Sequence, residues 1–180
     1  HWLKKEFCNG NLTENATSLA WIGDAVMSLA VREHLLSLGY RKAHVLQKKN
    51  AVICSAKGQS VMLNTMMDED FFTEDEKTIL ARGRNATIHS KAKNATHKTY
   101  LEATALESML GYLYLYGHQD RLKVCLDRII DIGDSLWSYM EKMCILHFKM
   151  IRIQSKKYMY FRDWKTQSFK IDSKIKFKGR

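Results

Sequence analysis

Two acidic residues stand alone in apolar stretches of this 180-residue chain. Asp24 lies within LAWIGDAVMSLAV, which runs from Leu19 to Val31, and Glu107 lies within ATALESMLGYLYLYG. At helical spacing, the residues next to each acid are small or apolar. A buried carboxylate is costly unless it is neutralised, paired or bound to a metal ion. Two such carboxylates, each with room for an ion beside it, predict a shared cation site between two packed helices.

Two hydroxyl-bearing residues fall on the same helical faces as these acids. Ser28 follows Asp24 by one turn and Thr104 precedes Glu107 by one turn, so both could orient water molecules bound to a metal ion. Simpler interpretations stay open at this point. A single acid in an apolar helix is often partly exposed or hydrogen-bonded, and Ser or Thr on an apolar helix face usually bonds its own backbone.

Composition bounds the class of protein. The chain is 46% hydrophobic and 27% charged and has no proline, which favours a soluble, mostly helical domain with room for an appendage. No apolar run approaches the roughly 18 residues of a membrane span. No signal peptide is visible, although a start at His1 suggests a fragment. The cysteines form no close pair, which predicts reduced thiols in a cytosol-like compartment. They are Cys8, Cys54, Cys125 and Cys144.

Capping residues and the 3.6-residue period predict an all-α fold. The helix that carries Asp24 is expected to stop at Gly39 and the helix that carries Glu107 at Gly117. A capping box at Thr73 starts the helix between them. In chain order, helices are predicted from Asn15 or Thr17 to about 38, then over 43–51, 55–67, from 73 to between 84 and 86, 98–116 and 119–141, with a loop over 87–97.

The positive charge is concentrated in the tail. The whole chain has a net charge of +10, of which +9 lies in residues 145–180, with eleven basic and two acidic side chains. Aromatic residues lie between the basic ones, a composition suited to phosphates and unpaired bases. A weakly folded extension and an anchor for a membrane surface or an anionic partner stay open. The predicted domains are 15–141 and a basic tail, 142–180, whose pattern is ambiguous between hairpin, short helix and disorder.

The two apolar stretches resemble the signatures of a known enzyme family. LAWIGDAV is similar to the first signature of ribonuclease III catalytic domains, and ALESMLGYLYL is similar to the second. The intervening ARGRNATIHSKAKNATHKTYLEATALE resembles the Mini-III branch, in which an Arg-Gly-Arg-Asn element precedes a Lys-Asn loop. The resemblance covers about residues 15–137.

Two departures from the larger ribonuclease III enzymes and a third from Mini-III proteins are informative. Those enzymes have a glutamate where this chain has Ala20 and an aspartate where it has Thr104. Mini-III proteins show similar replacements, which leave the metal ion fewer carboxylate ligands. Mini-III proteins also end after the last helix, whereas this chain continues into a tail too short for the double-stranded-RNA-binding domain of the larger enzymes.

The resemblance implies an all-α, homodimeric endoribonuclease that needs Mg²⁺ and cuts double-stranded RNA to 5′-phosphate and 3′-hydroxyl ends. Asp24 and Glu107 would be the catalytic and metal-binding residues of each subunit. Mg²⁺ commonly takes one or two carboxylates and keeps several waters, which suits this pair. The resemblance further suggests a cytoplasmic role in maturing the large-subunit ribosomal RNA precursor. A catalytically inactive dimer that only binds structured RNA is the alternative.

The resemblance also suggests residues for the dimer interface and for RNA. In ribonuclease III domains the apolar residue at the position of Trp21 reaches into the partner subunit, although a tryptophan beside a functional acid usually lies in the core. Duplex RNA is held through phosphates and 2′-hydroxyls across its minor groove. Basic residues at a helix end can instead serve the helix dipole. The candidates for RNA contact are Arg82, Arg84, Asn85, Lys91, Lys93 and Asn94.

Overall fold

The computed structural model describes residues 14–86 and 96–165. These residues form six α-helices and no strand, so the all-α prediction is confirmed. None of these helices contains a segment both long and apolar enough to cross a bilayer. In chain order the helices are α1 (Ala16–Ser37), α2 (Ala43–Cys54), α3 (Ala56–Asp68), α4 (Glu74–Arg84), α5 (His97–Leu115) and α6 (Gln119–Lys165).

Local signals set most of the helix ends. The Asn15 side chain caps α1 by accepting a hydrogen bond from an amide of the first turn. Thr73 and Glu76 form the predicted capping box of α4, in which each side chain accepts from the other's backbone amide. Gly39 follows α1 with φ of +86°, and Gly117 follows α5 with φ of +79°, a backbone region that favours glycine. The predicted stops at both glycines are confirmed.

The last helix is longer than predicted. α6 continues to Lys165, so the predicted end near Glu141 is wrong and a hairpin is excluded over residues 142–165. The physical reason is that neither glycine nor proline occurs between Gly133 and Lys165 to interrupt the helix. The chain divides into two compact units between Trp137 and Ser138. The proposed domains 15–141 and 142–180 stay a prediction. Residues 87–95 of the loop predicted over 87–97, and residues 166–180 of the tail, lie outside the described residues.

The core of the first unit is built around α5. This helix packs against α1, α3 and α4, and α2 packs against α1 and α3. The first five turns of α6 add their apolar side to the same core. The largest fully buried apolar side chains are Leu19, Met27, Leu35, Ile53, Met62, Leu63, Met66, Leu106, Met109, Leu110 and Ile129. α5 is therefore the element against which α1, α3 and α4 are positioned.

A buried ion pair ties the start of α4 to α6. Arg121 Nε donates to Glu76 Oε1 at 2.7 Å, and Nη2 donates to Oε2 at 2.9 Å and to the Phe71 carbonyl at 2.7 Å. Burial of the Glu76 carboxylate acts to raise its pKa. The hydrogen bonds from Arg121 and from the Thr73 amide together outweigh burial and hold the pKa of Glu76 below its ordinary value.

The lowered pKa of Glu76 predicts a pH-dependent contribution to stability. Because Glu76 is ionised in the folded state to a lower pH than in the unfolded state, its contribution is complete above the ordinary pKa of 4.5 and is lost as the pH falls through the lowered value. Glu76→Gln should lower the free energy of unfolding by about 2 kcal/mol at pH 7. In urea denaturation, this difference between variant and wild type should shrink below pH 4.5.

Glu74→Gln is the matched control, because Glu74 is an exposed acid of the same turn that pairs with Lys77 in solvent. It should change the stability much less, since water and salt screen an exposed pair. A stability gap between Glu76→Gln and wild type that stays constant down to pH 3 would contradict the assignment.

Candidate active site

α1 and α5 cross with their backbones in contact at two glycines. A Cβ atom on Gly23 would lie 1.8 Å from the carbonyl oxygen of Glu107 and 2.9 Å from the amide nitrogen of Gly111. A Cβ atom on Gly111 would lie 2.0 Å from the carbonyl oxygen of Leu19. Neither place can hold a side chain, so each glycine permits the close approach. Since Asp24 follows Gly23 directly, the crossing brings the two predicted metal-binding acids to one place.

Glu107 is half-buried and held by a neighbouring amide. Gln59 Nε2, from α3, donates to Glu107 Oε1 at 2.8 Å. Burial raises the pKa of Glu107 to about 7, and the negative charge of Asp24 acts in the same direction, while the hydrogen bond from Gln59 opposes them. A positive ion beside Glu107 would favour the ionised carboxylate and offset the repulsion between the two acids.

Asp24 differs from the expectation of two buried carboxylates, because its side chain is exposed. The apolar residues around it in sequence are not all buried in this chain. Trp21 is 77% exposed and Leu29 is 60% exposed. A helix that is apolar on most of its surface usually has partners on more than one side. The apolar pattern of α1 therefore indicates a second contact surface in addition to the core of the chain.

The two predicted hydroxyls have different surroundings. Ser28 lies close enough to the thiol of Cys54, at the end of α2, to act against the rise in that thiol's pKa. Thr104 donates from Oγ1 to the carbonyl of Tyr100 at 3.0 Å, which is the backbone bond that the sequence left open as an alternative. That bond uses the donor of Thr104 but leaves its oxygen able to accept. The role of either hydroxyl toward metal-bound water stays a prediction.

Cys54 is the one thiol near this pair among the described residues. Burial raises its pKa to about 11, and the charges of Asp24 and Glu107 act in the same direction, against Arg32 and Ser28. A thiol with so high a pKa is almost entirely protonated near pH 7 and is a poor nucleophile. The Cys54 thiol is therefore unsuited to act as the nucleophile of this site.

The donor set fits Mg²⁺. The described residues contain no group of three or more His, Cys, Asp or Glu side chains placed to hold a metal ion. Two carboxylates are nevertheless sufficient for Mg²⁺, which keeps most of its water ligands. The raised pKa of Glu107 is in accord with a site that a cation would stabilise. Asp24 and Glu107 are therefore the residues that could hold the ion.

The predicted RNA-binding residues that are described lie at the end of α4. Arg82 is exposed and its Nη2 donates to the Glu14 carbonyl at 3.3 Å. Arg84 is half-buried, and its Nε is buried without a hydrogen-bond partner among the described residues. Asn85 is the exposed C-cap of α4. The remaining candidates, which are Lys91, Lys93 and Asn94, lie outside the described residues.

A basic groove lies beside Arg84. It has a volume of about 450 Å³ and lies between α3, α4 and the start of α5. Its lining residues are Asn64, Arg84, His97, Lys98, Leu101 and Glu102. The groove adds Lys98, a second positive group near Arg84, and the His97 imidazole; sequence reasoning singled out neither residue.

The sequence analysis did not predict two further polar residues of this region, Glu102 and Gln59. Glu102 is 6% exposed and accepts a hydrogen bond from Ser60 Oγ at 2.5 Å, so α5 carries a second buried acid. Gln59 is 2% exposed and bonds Glu107. The available signal for Gln59 was its helical spacing from the apolar residues Met62, Leu63 and Met66, which marks an amide on a buried face.

Comparison with known proteins defines the class. The protein family described as "Ribonuclease III domain" matches residues 17–118, more than half of the chain. A Mini-ribonuclease 3 from Staphylococcus aureus is 39% identical over 118 residues, covering 66% of this chain and 88% of the relative. One from Brevibacillus brevis is 44% identical over 112 residues, covering 62% and 81%. The crystal structure of protein FN1578 from Fusobacterium nucleatum matches with a TM-score of 0.58 and 28% identity, covering 66% of this chain and 93% of that one.

These matches coincide with the two helices that carry the candidate acids. Both Asp24 and Glu107 lie inside the matched domain, and 39–44% identity extends over most of the length of the relatives. The chain belongs to the ribonuclease III family, in its Mini-ribonuclease 3 branch. The resemblance read from the sequence is thereby confirmed.

The backbone contact at Gly23 predicts the effect of one added methyl group. Gly23→Ala would force α1 and α5 apart, because the carbonyl of Glu107 cannot move away from its own helix. The variant should lose about 3 kcal/mol of unfolding free energy, despite the better helix propensity of alanine. Gly133→Ala is the control, since its Cβ would meet side-chain atoms of Ile53, at 2.5 and 2.7 Å, and of Met62, at 3.6 Å, but no backbone atom within that range. Chemical denaturation should show a clearly smaller loss for Gly133→Ala; equal losses would contradict a special role for the crossing.

Proposed function

We propose that this chain is an Mg²⁺-dependent endoribonuclease that cuts double-stranded RNA and leaves 5′-phosphate and 3′-hydroxyl ends. The observation that carries the proposal is the Gly23–Gly111 crossing, beside which Asp24 and Glu107 come together from the two family signatures. A protein that only binds RNA has no use for an acid whose burial is costly. Family membership supports the same reaction class.

Hydrolysis of a phosphodiester requires a nucleophilic water and stabilisation of charge on the phosphoryl oxygens. Mg²⁺ held by Asp24 and Glu107 would supply both, as a Lewis acid that also acidifies water. The chain itself contributes the two carboxylates and the Gln59 amide that holds Glu107. The glycine crossing sets the separation of the two helices that carry the carboxylates.

The RNA duplex would bind through its backbone. Arg82 and Asn85 are exposed at the end of α4, and Arg84 has a buried Nε that no described residue satisfies. The groove beside it adds Lys98 and His97. Guanidinium groups suit phosphate oxygens, and recognition through phosphates and 2′-hydroxyls follows the shape of the duplex. We propose Lys91, Lys93 and Asn94 as additional contacts from the segment between α4 and α5.

The active form would be a homodimer. Trp21 and Leu29 are exposed and lie two helical turns apart on α1. Large exposed apolar side chains on one face favour a protein partner. Each subunit would contribute one Asp24–Glu107 site, so that one dimer cuts both strands. The resemblance to Mini-III proteins supports the large-subunit ribosomal RNA precursor as the substrate and the cytoplasm as the place of action.

Removal of either acid tests the catalytic proposal. Asp24→Asn and Glu107→Gln each take one charged ligand from the ion without changing the side-chain shape. Each should lower the cleavage rate of a long RNA duplex in Mg²⁺ by about 10³-fold or more, which corresponds to several kcal/mol of transition-state stabilisation. Dimerisation and duplex binding should be retained, as measured by sedimentation and gel mobility.

Glu33→Gln is the matched control, because Glu33 is an exposed acid on the same helix as Asp24. It should cleave at the wild-type rate. Near-normal turnover by Asp24→Asn or Glu107→Gln would overturn the metal site, and wild-type protein that binds but never cleaves duplex RNA in Mg²⁺ would favour the inactive binding module.

The dimer proposal is tested at Trp21. Trp21→Ala should raise the dimer dissociation constant about 30- to 1,000-fold, equivalent to about 2–4 kcal/mol for a central aromatic contact. The fold of the single chain should be retained because Trp21 is 77% exposed in it. Val124→Ala, an exposed apolar residue of α6, is the control. In sedimentation, Trp21→Ala should dissociate to monomers and Val124→Ala should not. A Trp21→Ala dimer that persists at nanomolar concentration would contradict the assignment.

A further inference from the structure

Gln59 makes two hydrogen bonds with its side-chain amide nitrogen. One goes to Glu107 Oε1 at 2.8 Å and the other to the carbonyl oxygen of Cys54 at 3.2 Å. The Cys54 carbonyl belongs to the last turn of α2, where helical carbonyls lack a partner within the helix. A carbonyl can only accept, so it requires the nitrogen of the Gln59 amide on its side. The same constraint makes an N–H group, and not the amide oxygen, face Glu107.

The backbone around Gln59 is as constrained as its side chain. Gly58, the preceding residue, lies against α2, and a Cβ atom there would be 2.0 Å from the carbonyl oxygen of Val52. The Gly58 amide belongs to the first turn of α3 and donates to the N-cap side chain, Ser55 Oγ, at 3.1 Å. α3 therefore starts in direct contact with the end of α2, which places Gln59 at a defined distance from α5.

The acceptor of this amide is not satisfied. Gln59 Oε1 is buried and has no hydrogen-bond partner among the described residues, in a side chain only 2% exposed. A buried, unsatisfied acceptor is destabilising. Met62, Leu63 and Met66 are the buried residues on the same side of α3, and an apolar side chain at position 59 would extend them without that penalty. Packing alone therefore does not explain a glutamine here.

We propose that Gln59 is a positioning residue for the Glu107 carboxylate, holding it in the orientation in which it binds the metal ion. The inference rests on the proposed function, because it assigns Gln59 to the same site. A carboxylate without this donor would be free to rotate about its terminal bond. Residues that orient metal ligands contribute to metal affinity although they do not touch the ion. Gln59 should consequently affect the binding of the ion and the turnover rate, and leave the binding of RNA unchanged.

The test compares Gln59→Met with Gln47→Met in the full chain. Methionine has nearly the length of glutamine and keeps the apolar packing of α3, and Gln47 is an exposed glutamine of α2 that undergoes the same chemical change. Mn²⁺ serves as the probe ion, and its binding is followed by electron paramagnetic resonance. Gln59→Met should weaken Mn²⁺ binding about 10- to 100-fold, and Gln47→Met should not.

Four further measurements separate positioning from a structural role. Gln59→Met removes one unsatisfied acceptor but leaves Glu107 Oε1 and the Cys54 carbonyl without their donor, so its melting temperature should fall by a few degrees at most and the variant should stay folded. Its affinity for duplex RNA without divalent ions should be unchanged. Its kcat should fall by about tenfold or more at a fixed, low Mg²⁺ concentration, with partial recovery at high Mg²⁺. In a Glu107→Gln background, Gln59→Met should cause no additional loss of Mn²⁺ affinity, because the residue acts through Glu107.

The outcomes distinguish failure of the positioning role of Gln59 from failure of the metal site. A folded Gln59→Met variant with wild-type Mn²⁺ affinity overturns the positioning role and leaves the metal site standing. Wild-type Mn²⁺ affinity in Glu107→Gln overturns the metal site and the positioning role together. If Gln59→Met does not fold, Gln59→Asn is used, because its amide is one methylene too short to reach Glu107. Wild-type Mn²⁺ affinity in that variant would equally reject the inference.

Discussion

The backbone contact between α1 and α5 is the constraint on which the rest of the site depends. Gly23 and Gly111 each occupy a place where an added Cβ would lie within about 2 Å of a carbonyl oxygen of the facing helix. Only glycine permits this approach. The side chains that flank the contact, Asp24 on α1 and Glu107 on α5, are therefore brought together by two residues that carry no chemistry. The position of α5 at the centre of the core keeps the crossing in place.

The electrostatics of the site follow from this geometry. Glu107 is half-buried, so its charge is poorly solvated, and the nearby Asp24 adds a like charge. Both effects raise the pKa of Glu107, and the Gln59 amide only partly offsets them. A site that disfavours its own negative charge gains more from a bound cation than a solvated pair of carboxylates would. The contrast with Glu76 is direct, because Arg121 supplies the compensating charge there and lowers the pKa.

α1 has apolar side chains on two sides, one buried in the core and one exposed. Its side toward α5 packs into the core through Leu19, Met27 and Val31, while Trp21 and Leu29 are exposed on another side. Asp24 lies on the exposed part of the helix. Two backbone contacts between glycine and carbonyl oxygen, at Gly23 and at Gly58, lie directly before the residues Asp24 and Gln59. The polar groups of the site are thus placed by the backbone and not by flexible loops.

The sequence by itself determined the helical class, the ends of most helices and the two candidate acids, but not the length of α6. Caps at Asn15 and Thr73, and stops at Gly39 and Gly117, act through bonds within a few residues, and short-range signals can be read without a fold. The signature motifs likewise identified Asp24 and Glu107 as the candidate metal-binding acids. Tertiary structure decided what is buried. It left Asp24 and Trp21 exposed in apolar surroundings and buried Gln59 and Glu102, because burial depends on which helix covers a face. Periodicity defines a face of a helix, but only packing determines whether another helix, a metal ion or solvent lies against it.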